Sequence, residues 1–324
     1  MKRFVYIILL LALLLLPSGC GLTEPDTDRL QVVCTVFPQY DFLRSIAGDK
    51  VDVKMLVPLG TESHDFSLEN LTMAELKSVS TADLVVYVGG ESDESWISEL
   101  RSAVTDNGTR WMAMTDMTAT LEEVMTESME HGHDHDHDHD HDEEHHVGNA
   151  YDEHVWTSPK RAVDIVKALT DALCELDNKN AAEYRLNCDA YVAELQVLDL
   201  ALADAVSDAQ GRKLIFGDRF PFRYLCTDYG LEFDAAFPGC SANSDPSVSQ
   251  IISLTESAVD SKAKIIFYME NSEPVYARNI AKTVGGKAML LHSCHTLTRS
   301  ELDSGNTYLS LMSDNIEKIA EAFE

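Results

Sequence analysis

The chain holds twelve histidines, and eight of them crowd into one short stretch: His131, His133, His135, His137, His139, His141, His145 and His146. Between His133 and Asp142 they alternate with aspartate, and Glu143 and Glu144 follow. Neutral imidazole ligates late transition metals, and interleaved carboxylates add a field that attracts cations. Asp or His at nearly every position leaves nothing to bury, so the stretch cannot offset its ordering entropy as core. It reads as a solvated tract with many weak metal sites, or more plainly as a low-complexity linker. Protonated imidazole does not bind metal, so capture by the tract should weaken as pH falls through about 6.5. The other four histidines are His64, His154, His292 and His295. Any one of them alone reads equally well as a structural or surface residue.

The elements around these four decide how they are read. Short β-branched runs (30–36, 51–57, 82–89) alternate with helical patterns (41–47, 72–80, 96–103) in the first half. The second half repeats this grammar, with strands at 213–216, 231–236, 264–268 and 288–291 and helices at 221–228, 248–261, 274–284 and 308–323. Such alternation predicts α/β architecture with mainly parallel sheets, and ligands beyond the C-terminal strand ends. His64 follows a strand of the first half, and His292 and His295 follow the last strand of the second. His154 stands just before a helix that Ser158 should cap and Pro159 should open. A longer helical pattern at 178–208 carries Tyr184, Tyr191, Leu195, Leu198, Leu202 and Val206 on one stripe and reaches Gly211. Two α/β lobes joined by one long, rigid linker helix follow, with first lobe 30–177, linker 178–208 and second lobe 209–324. If the lobes face each other, the dispersed histidines converge on the cleft, and three imidazoles with one further donor make a zinc-type set.

Composition narrows the function. A chain of 324 residues exceeds one ordinary core, and its net charge of −30 excludes nucleic acid as a partner, because phosphate would be repelled. Lys2 and Arg3 precede 13 apolar residues (4–16), too few for a transmembrane helix, for which about 20 are needed. Pro17-Ser18-Gly19-Cys20 then resembles a bacterial lipobox, although Pro17 stands where leucine is usual. Residues 1–20 are thus expected to be a lipoprotein signal with Cys20 lipidated, and 21–29 a tether. Six further cysteines (34, 174, 188, 226, 240, 294) permit disulfides outside the cytoplasm; Cys174 with Cys188 and Cys226 with Cys240 are the local pairings. No CxxC, HExxH or GxxxxGK[ST] occurs, which weighs against zinc-finger, metalloprotease and ATP-hydrolysing roles.

The mature chain resembles the solute-binding lipoproteins of zinc and manganese ABC transporters. Gly60-Thr61-Glu62-Ser63-His64-Asp65-Phe66 is similar to that family's Gly-x-x-x-His-x-Phe loop. Asp152-Glu153-His154-Val155-Trp156-Thr157-Ser158-Pro159 is similar to its Asp-x-His-x-Trp-x-Ser-Pro motif. A His-rich loop, here 130–147, separates these ligands in the zinc members, and 178–208 resembles their linker helix. The resemblance implies His64 and His154 as metal ligands. The family's third His has no counterpart, and Asp218 is the nearest metal-capable side chain. At the family's fourth ligand, commonly Asp, stands His292; His295 is the alternative, with Cys294, Cys240 and Glu270 behind them. The implied function is extracytoplasmic zinc capture between two lobes and delivery to a membrane permease driven by a cytoplasmic ATPase, by a monomer anchored through Cys20. Manganese is the alternative cargo, although it would call for more carboxylates and no His tract. A metal-buffering surface lipoprotein or adhesin is a rival, and a zinc hydrolase using Glu153 as base a remoter one.

Overall fold

Each half of the chain builds a four-stranded sheet in which every strand pair is parallel. The structure, a computed structural model, describes residues 29–61, 66–104, 108–130, 151–209, 212–239 and 246–324. The first lobe runs β1 (Leu30–Cys34), α1 (Phe37–Ala47), β2 (Val51–Met55), α2 (Met73–Ser80), β3 (Leu84–Tyr87), α3 (Glu91–Ala103) and β4 (Arg110–Ala113), with sheet order β2-β1-β3-β4. After α4 (Glu127–Glu130) come α5 (Pro159–Leu176) and α6 (Ala181–Ala205). The second lobe runs β5 (Lys213–Phe220), α7 (Arg223–Asp228), β6 (Glu232–Pro238), α8 (Val248–Asp260), β7 (Ile265–Tyr268), α9 (Val275–Val284), β8 (Lys287–Leu290), α10 (Arg299–Asp303) and α11 (Tyr308–Phe323), in order β6-β5-β7-β8. The α/β, parallel-sheet architecture read from the sequence is the one found.

Parallel sheets are covered on both faces, so their strands are apolar at successive positions. Val32 and Cys34 enter one core while Val33 enters another; Leu214 and Phe216 are likewise separated from Ile215. The large core is continuous through both lobes and is roofed by α1, α5, α6 and α11. Two smaller cores lie on the opposite sheet faces, one with residues of α2 and α3, the other with residues of α8 and α9.

The long helix forms over 181–205, with turns at 178–180 and 206–208 where the sequence pattern continues it. At 1.5 Å per residue it is about 38 Å long. It packs on α1, α5 and α11 and so braces both lobes. Pro159 opens α5 as expected, but Ser158 does not cap it by a side-chain hydrogen bond. Its hydroxyl instead donates to Asp228 Oδ2 at 2.7 Å, and Arg161 grips the same carboxylate with Nε and Nη2 at 2.9 and 2.7 Å. A tertiary charge partner has outcompeted the local cap. Cys34, Cys174, Cys188, Cys226 and Cys294 are free, buried thiols. The expected Cys174–Cys188 bridge is therefore absent, and the Cys174 thiol turns to the Ala181 carbonyl, 3.5 Å away. Cys240 and its pairing with Cys226, like Cys20, the signal and the tether through residue 28, lie outside the described residues. Among the described residues no helix is long and apolar enough to cross a membrane.

Asp41 of α1 lies where α6 and α11 meet, accepting from Tyr191 Oη at 3.0 Å and Tyr308 N at 3.2 Å. Burial raises its pKa from 3.8 to about 6, against the opposing pull of these two hydrogen bonds. The folded state therefore holds the proton more tightly than the unfolded state. The stability Asp41 contributes is full below about pH 4 and is lost as pH rises through about 6. Asp41→Asn, which mimics the neutral acid, is expected to be more stable than the wild type at pH 7.5 by up to about 3 kcal/mol and nearly equal to it at pH 4. Denaturant midpoints at the two pH values check this; an equal gap at both would sink it.

Candidate metal centre

His154 is placed by the turn that leads into α5. Its backbone N–H donates to Asp152 Oδ1 at 2.8 Å, and its ring Nδ1 lies 3.1 Å from the same oxygen. A carboxylate accepts only, so Nδ1 carries the proton and Nε2 is left as the lone-pair nitrogen. The main chain of Asp152 is itself pinned: its carbonyl accepts from Tyr224 Oη at 2.6 Å and its N–H donates to Leu121 O at 3.0 Å. Gly239, just beyond β6, lets this ring approach the second lobe. A Cβ there would lie 3.1 Å from His154 Cε1 and 2.8 Å from Phe220 O.

His295 comes from the segment after β8 and meets His154 from the other lobe. The two ring centroids are 5.7 Å apart with planes 85° apart, and both rings are buried. Two imidazoles sharing one tetrahedral ion, with metal–N near 2.0–2.1 Å, have centroids about 5 Å apart. Trp156 packs beside both, its ring centroid 5.5 Å from His154 and 5.1 Å from His295. Its Nε1–H donates to Ser293 O at 2.9 Å, and Tyr308 Oη donates to Trp156 O at 2.6 Å. Phe37 N–H donates to His295 O at 3.3 Å.

His292 points elsewhere. Its Nδ1 accepts from Cys294 N–H at 2.9 Å, so the neutral ring carries its proton on Nε2, which has no hydrogen-bond partner among the described residues. Glu301 Oε1 lies 3.8 Å from Nε2, and Glu270 Oε1 lies 3.5 Å from Nδ1. Neither nitrogen is thus available as a ligand in this arrangement. The His292 backbone is clamped by Asn315, which accepts from its N–H at 2.8 Å and donates to its carbonyl at 2.7 Å. Cys294 has φ 61°, in the left-handed region, and this turn separates the directions of His292 and His295. The Cys294 thiol is buried, and burial pushes its pKa well above the usual value.

Asp218 lies where β5 shifts register against β6, between Phe216 and Arg219. It is buried; Oδ1 accepts from Arg219 N at 2.8 Å and Oδ2 from Met269 N at 3.1 Å. Each oxygen keeps a second lone pair. Glu270 is spent on the 292–295 segment, accepting from Ser293 N at 2.8 Å and Ser293 Oγ at 2.6 Å. His64 and the tract histidines lie outside the described residues, and within those residues no three His, Cys, Asp or Glu side chains are grouped to hold a metal. The chain flanking His64 is anchored on both sides: Gly60 N–H donates to Thr296 Oγ1 at 3.0 Å, and the Phe66 ring packs on Trp96 at 5.4 Å. The bracing roles of Asp152, Glu270 and Trp156 were not read from the sequence, although an Asp two residues before a motif His is a visible signal for the first.

Residues 32–322 match the family model described as zinc-uptake complex component A, periplasmic. The chain is 30% identical over 327 residues to the high-affinity zinc uptake system protein ZnuA of Bacillus subtilis, covering 99% of this chain and 98% of that protein. It is 29% identical over 319 residues to the zinc-binding lipoprotein AdcA of Streptococcus pneumoniae, covering 98% of this chain but only 60% of that longer protein. Among solved structures, the Zn(II)-bound ZnuA-like domain of S. pneumoniae AdcA superposes with a TM-score of 0.71 at 27% identity, covering 91% of this chain and 99% of that one. The metal-dependent lipoprotein YcdH of B. subtilis gives 0.73 at 26%, covering 91% and 100%. With the motif, the two-lobed parallel fold and the match across both lobes in agreement, the chain belongs to the family of periplasmic zinc-uptake component A proteins.

Proposed function

We propose that this protein is the extracytoplasmic zinc receptor of an ABC importer, binding the ion between its lobes with His64, His154 and His295, and with Asp218, which among the described residues is not grouped with His154 and His295, drawn in as the fourth donor when the ion binds. The observation that carries the reading is the buried meeting of His154 and His295 across the lobes, with the His154 Nδ1 proton directed to Asp152, which makes Nε2 the lone-pair nitrogen. His295 takes the place for which His292 was expected, because the His292 ring is turned toward Glu270 and Glu301. Three imidazoles and one carboxylate suit zinc, and manganese remains the alternative cargo with its preference for oxygen. The names of the relatives, zinc-binding lipoprotein and zinc uptake protein, support the same cargo and an extracytoplasmic location; anchoring through Cys20 rests on the lipobox resemblance of residues 17–20. The role is binding and hand-over rather than catalysis, with permease and ATPase as partners. The long α6 limits wide lobe closure, so release proceeds through local rearrangement at the site. The His/Asp tract acts as an accessory metal collector.

Calorimetric titration of the chain lacking residues 1–29, with and without 131–146, tests this. One tight zinc equivalent should survive tract deletion with Kd changed less than about threefold, under about 0.7 kcal/mol, while weaker equivalents disappear. If all zinc binding vanished with the tract, the cleft reading would fall and a metal-buffering surface protein would replace it.

A further inference from the structure

The long helix α6 is apolar on two opposite faces. One stripe, with Tyr184, Cys188, Tyr191, Leu195, Leu198 and Leu202, is buried in the large core. On the other side Leu186, Val197 and Leu200 are 69%, 65% and 70% exposed, and Ala182, Ala190 and Ala193 are exposed with them. At about 100° per residue these six positions share one arc about 80° wide, opposite the buried stripe. No charged residue between 182 and 200 falls within that arc. The outward face of a helix that only braces a core is ordinarily polar. Here the steps of four and three residues from Leu186 through Ala190, Ala193 and Val197 to Leu200 make the seam of a helix that packs on another helix. Periodicity on one helix joins these side chains into a single strip about 27 Å long.

We infer that α6 pairs antiparallel with α6 of a second copy of this chain, in place of the monomer that the family resemblance implies. The order of side chains along the strip selects this occupant. Turned end for end about Ala193, the strip meets itself: Leu186 faces Leu200 of the second copy, Ala190 faces Val197, and Ala193 faces its own equivalent. A two-fold interface requires such self-matching. Alanines at the centre let the axes approach to the near end of the roughly 8–10 Å range of packed helices. The flanks agree. Asp189 comes opposite Gln196 of the second copy, an amide donor for a carboxylate, and Arg185 comes within one turn of Asp204, an opposite charge. Both contacts occur twice by symmetry. Glu194 near the two-fold axis and the net charge of −30 on each copy oppose the pairing. It should therefore tighten with salt, as the Debye length falls from about 30 Å at 0.01 M to about 10 Å at 0.1 M.

Three large side chains make a small contact beside the roughly 800 Å² per partner of a stable complex, so the pair is weak in dilute solution. It becomes populated where copies share a membrane through the Cys20 anchor, which rests on the reading proposed above, because tethering raises the effective concentration toward mM. Chain geometry permits this. Arg29 and Leu30 line one cleft with Leu176, Asp177, Asn178 and Lys179 at the start of α6. Antiparallel pairing sets two such exits about 38 Å apart. Residues 20–28 can each span about 30 Å, so both anchors reach one bilayer.

The test places the lipidated chain in phosphatidylcholine vesicles with a short bis-maleimide crosslinker, the wild type serving as control for native thiols. Ala193→Cys, at the two-fold axis, should crosslink copy to copy at least about tenfold above the wild type. Ala182→Cys should not, because its own equivalent lies about 34 Å away in an antiparallel pair. Leu186→Glu with Leu200→Glu, added to Ala193→Cys, should cut crosslinking at least about tenfold. Glutamate is a good helix former, so this variant should keep the melting temperature and zinc affinity of the wild type. No crosslink at Ala193→Cys, equal crosslinking at both positions, or no loss in the glutamate variant overturns the proposal. A glutamate variant that lowers zinc uptake by cells while Ala193→Cys never crosslinks assigns the face to a different protein and overturns it too. A wild-type chain that does not float with the vesicles overturns the anchor instead, and crosslinking is then read at about 1 mM chain in solution.

Discussion

His295→Ala is expected to weaken zinc binding about 100-fold or more, at least about 2.7 kcal/mol, and His154→Ala to do the same. His292→Ala should leave the tight site within about threefold while costing about 1–3 kcal/mol of stability, because the Cys294 N–H loses its buried acceptor. The contrast follows from which nitrogen of each ring is committed. The His154 Nδ1 donates to Asp152 and leaves Nε2 as a base, whereas the His292 Nδ1 accepts and leaves Nε2 protonated. Asp152→Asn should weaken binding about 10- to 100-fold by releasing the His154 tautomer and orientation. Titration calorimetry reads the affinities and denaturant unfolding of the metal-free chains reads the stabilities. Tight binding that survives His295→Ala but not His292→Ala would reverse the assignment of the second-lobe ligand.

Trp156→Ala should lower stability by about 3–5 kcal/mol, as for other fully buried aromatic residues. It should also weaken zinc binding. The indole is fully buried, flanks both site histidines and donates to Ser293 O, so its loss opens a cavity at the lobe junction and orphans a buried carbonyl. Trp156→Phe separates the effects: it keeps most of the bulk but not the Nε1–H, and should cost about 1–3 kcal/mol. An unchanged denaturant midpoint for Trp156→Ala would contradict the bracing role.

Much of this architecture is visible in the residues alone. Runs such as Leu84-Val85-Val86-Tyr87 and Ile265-Ile266-Phe267-Tyr268, broken by Gly, Pro and Asp and alternating with helical stripes, encode parallel strands because both sheet faces must be apolar. The stripe Tyr184, Tyr191, Leu195, Leu198, Leu202 marks the buried side of α6, and the Asp152-to-Pro159 motif marks a histidine beside a helix start. These features are local, set by periodicity and by residues with fixed backbone preferences.

What the sequence did not decide are the outcomes settled by distant partners. Whether His292 or His295 meets His154 depends on a left-handed turn at Cys294, a conformation no L side chain advertises, and on Asn315 of α11 gripping the backbone 23 residues earlier. Ser158 carries a cap signature yet binds Asp228, 70 residues away, because a half-buried carboxylate shared with Arg161 is the stronger acceptor. Asp41 reads as a surface helix residue until α6 and α11 close over it. Thr126 and Ser128 tie the approach to the His tract onto Asp234 of β6, a contact spanning more than a hundred residues. Periodicity reports which face of an element is buried; only the assembled lobes determine which polar groups share the space between them.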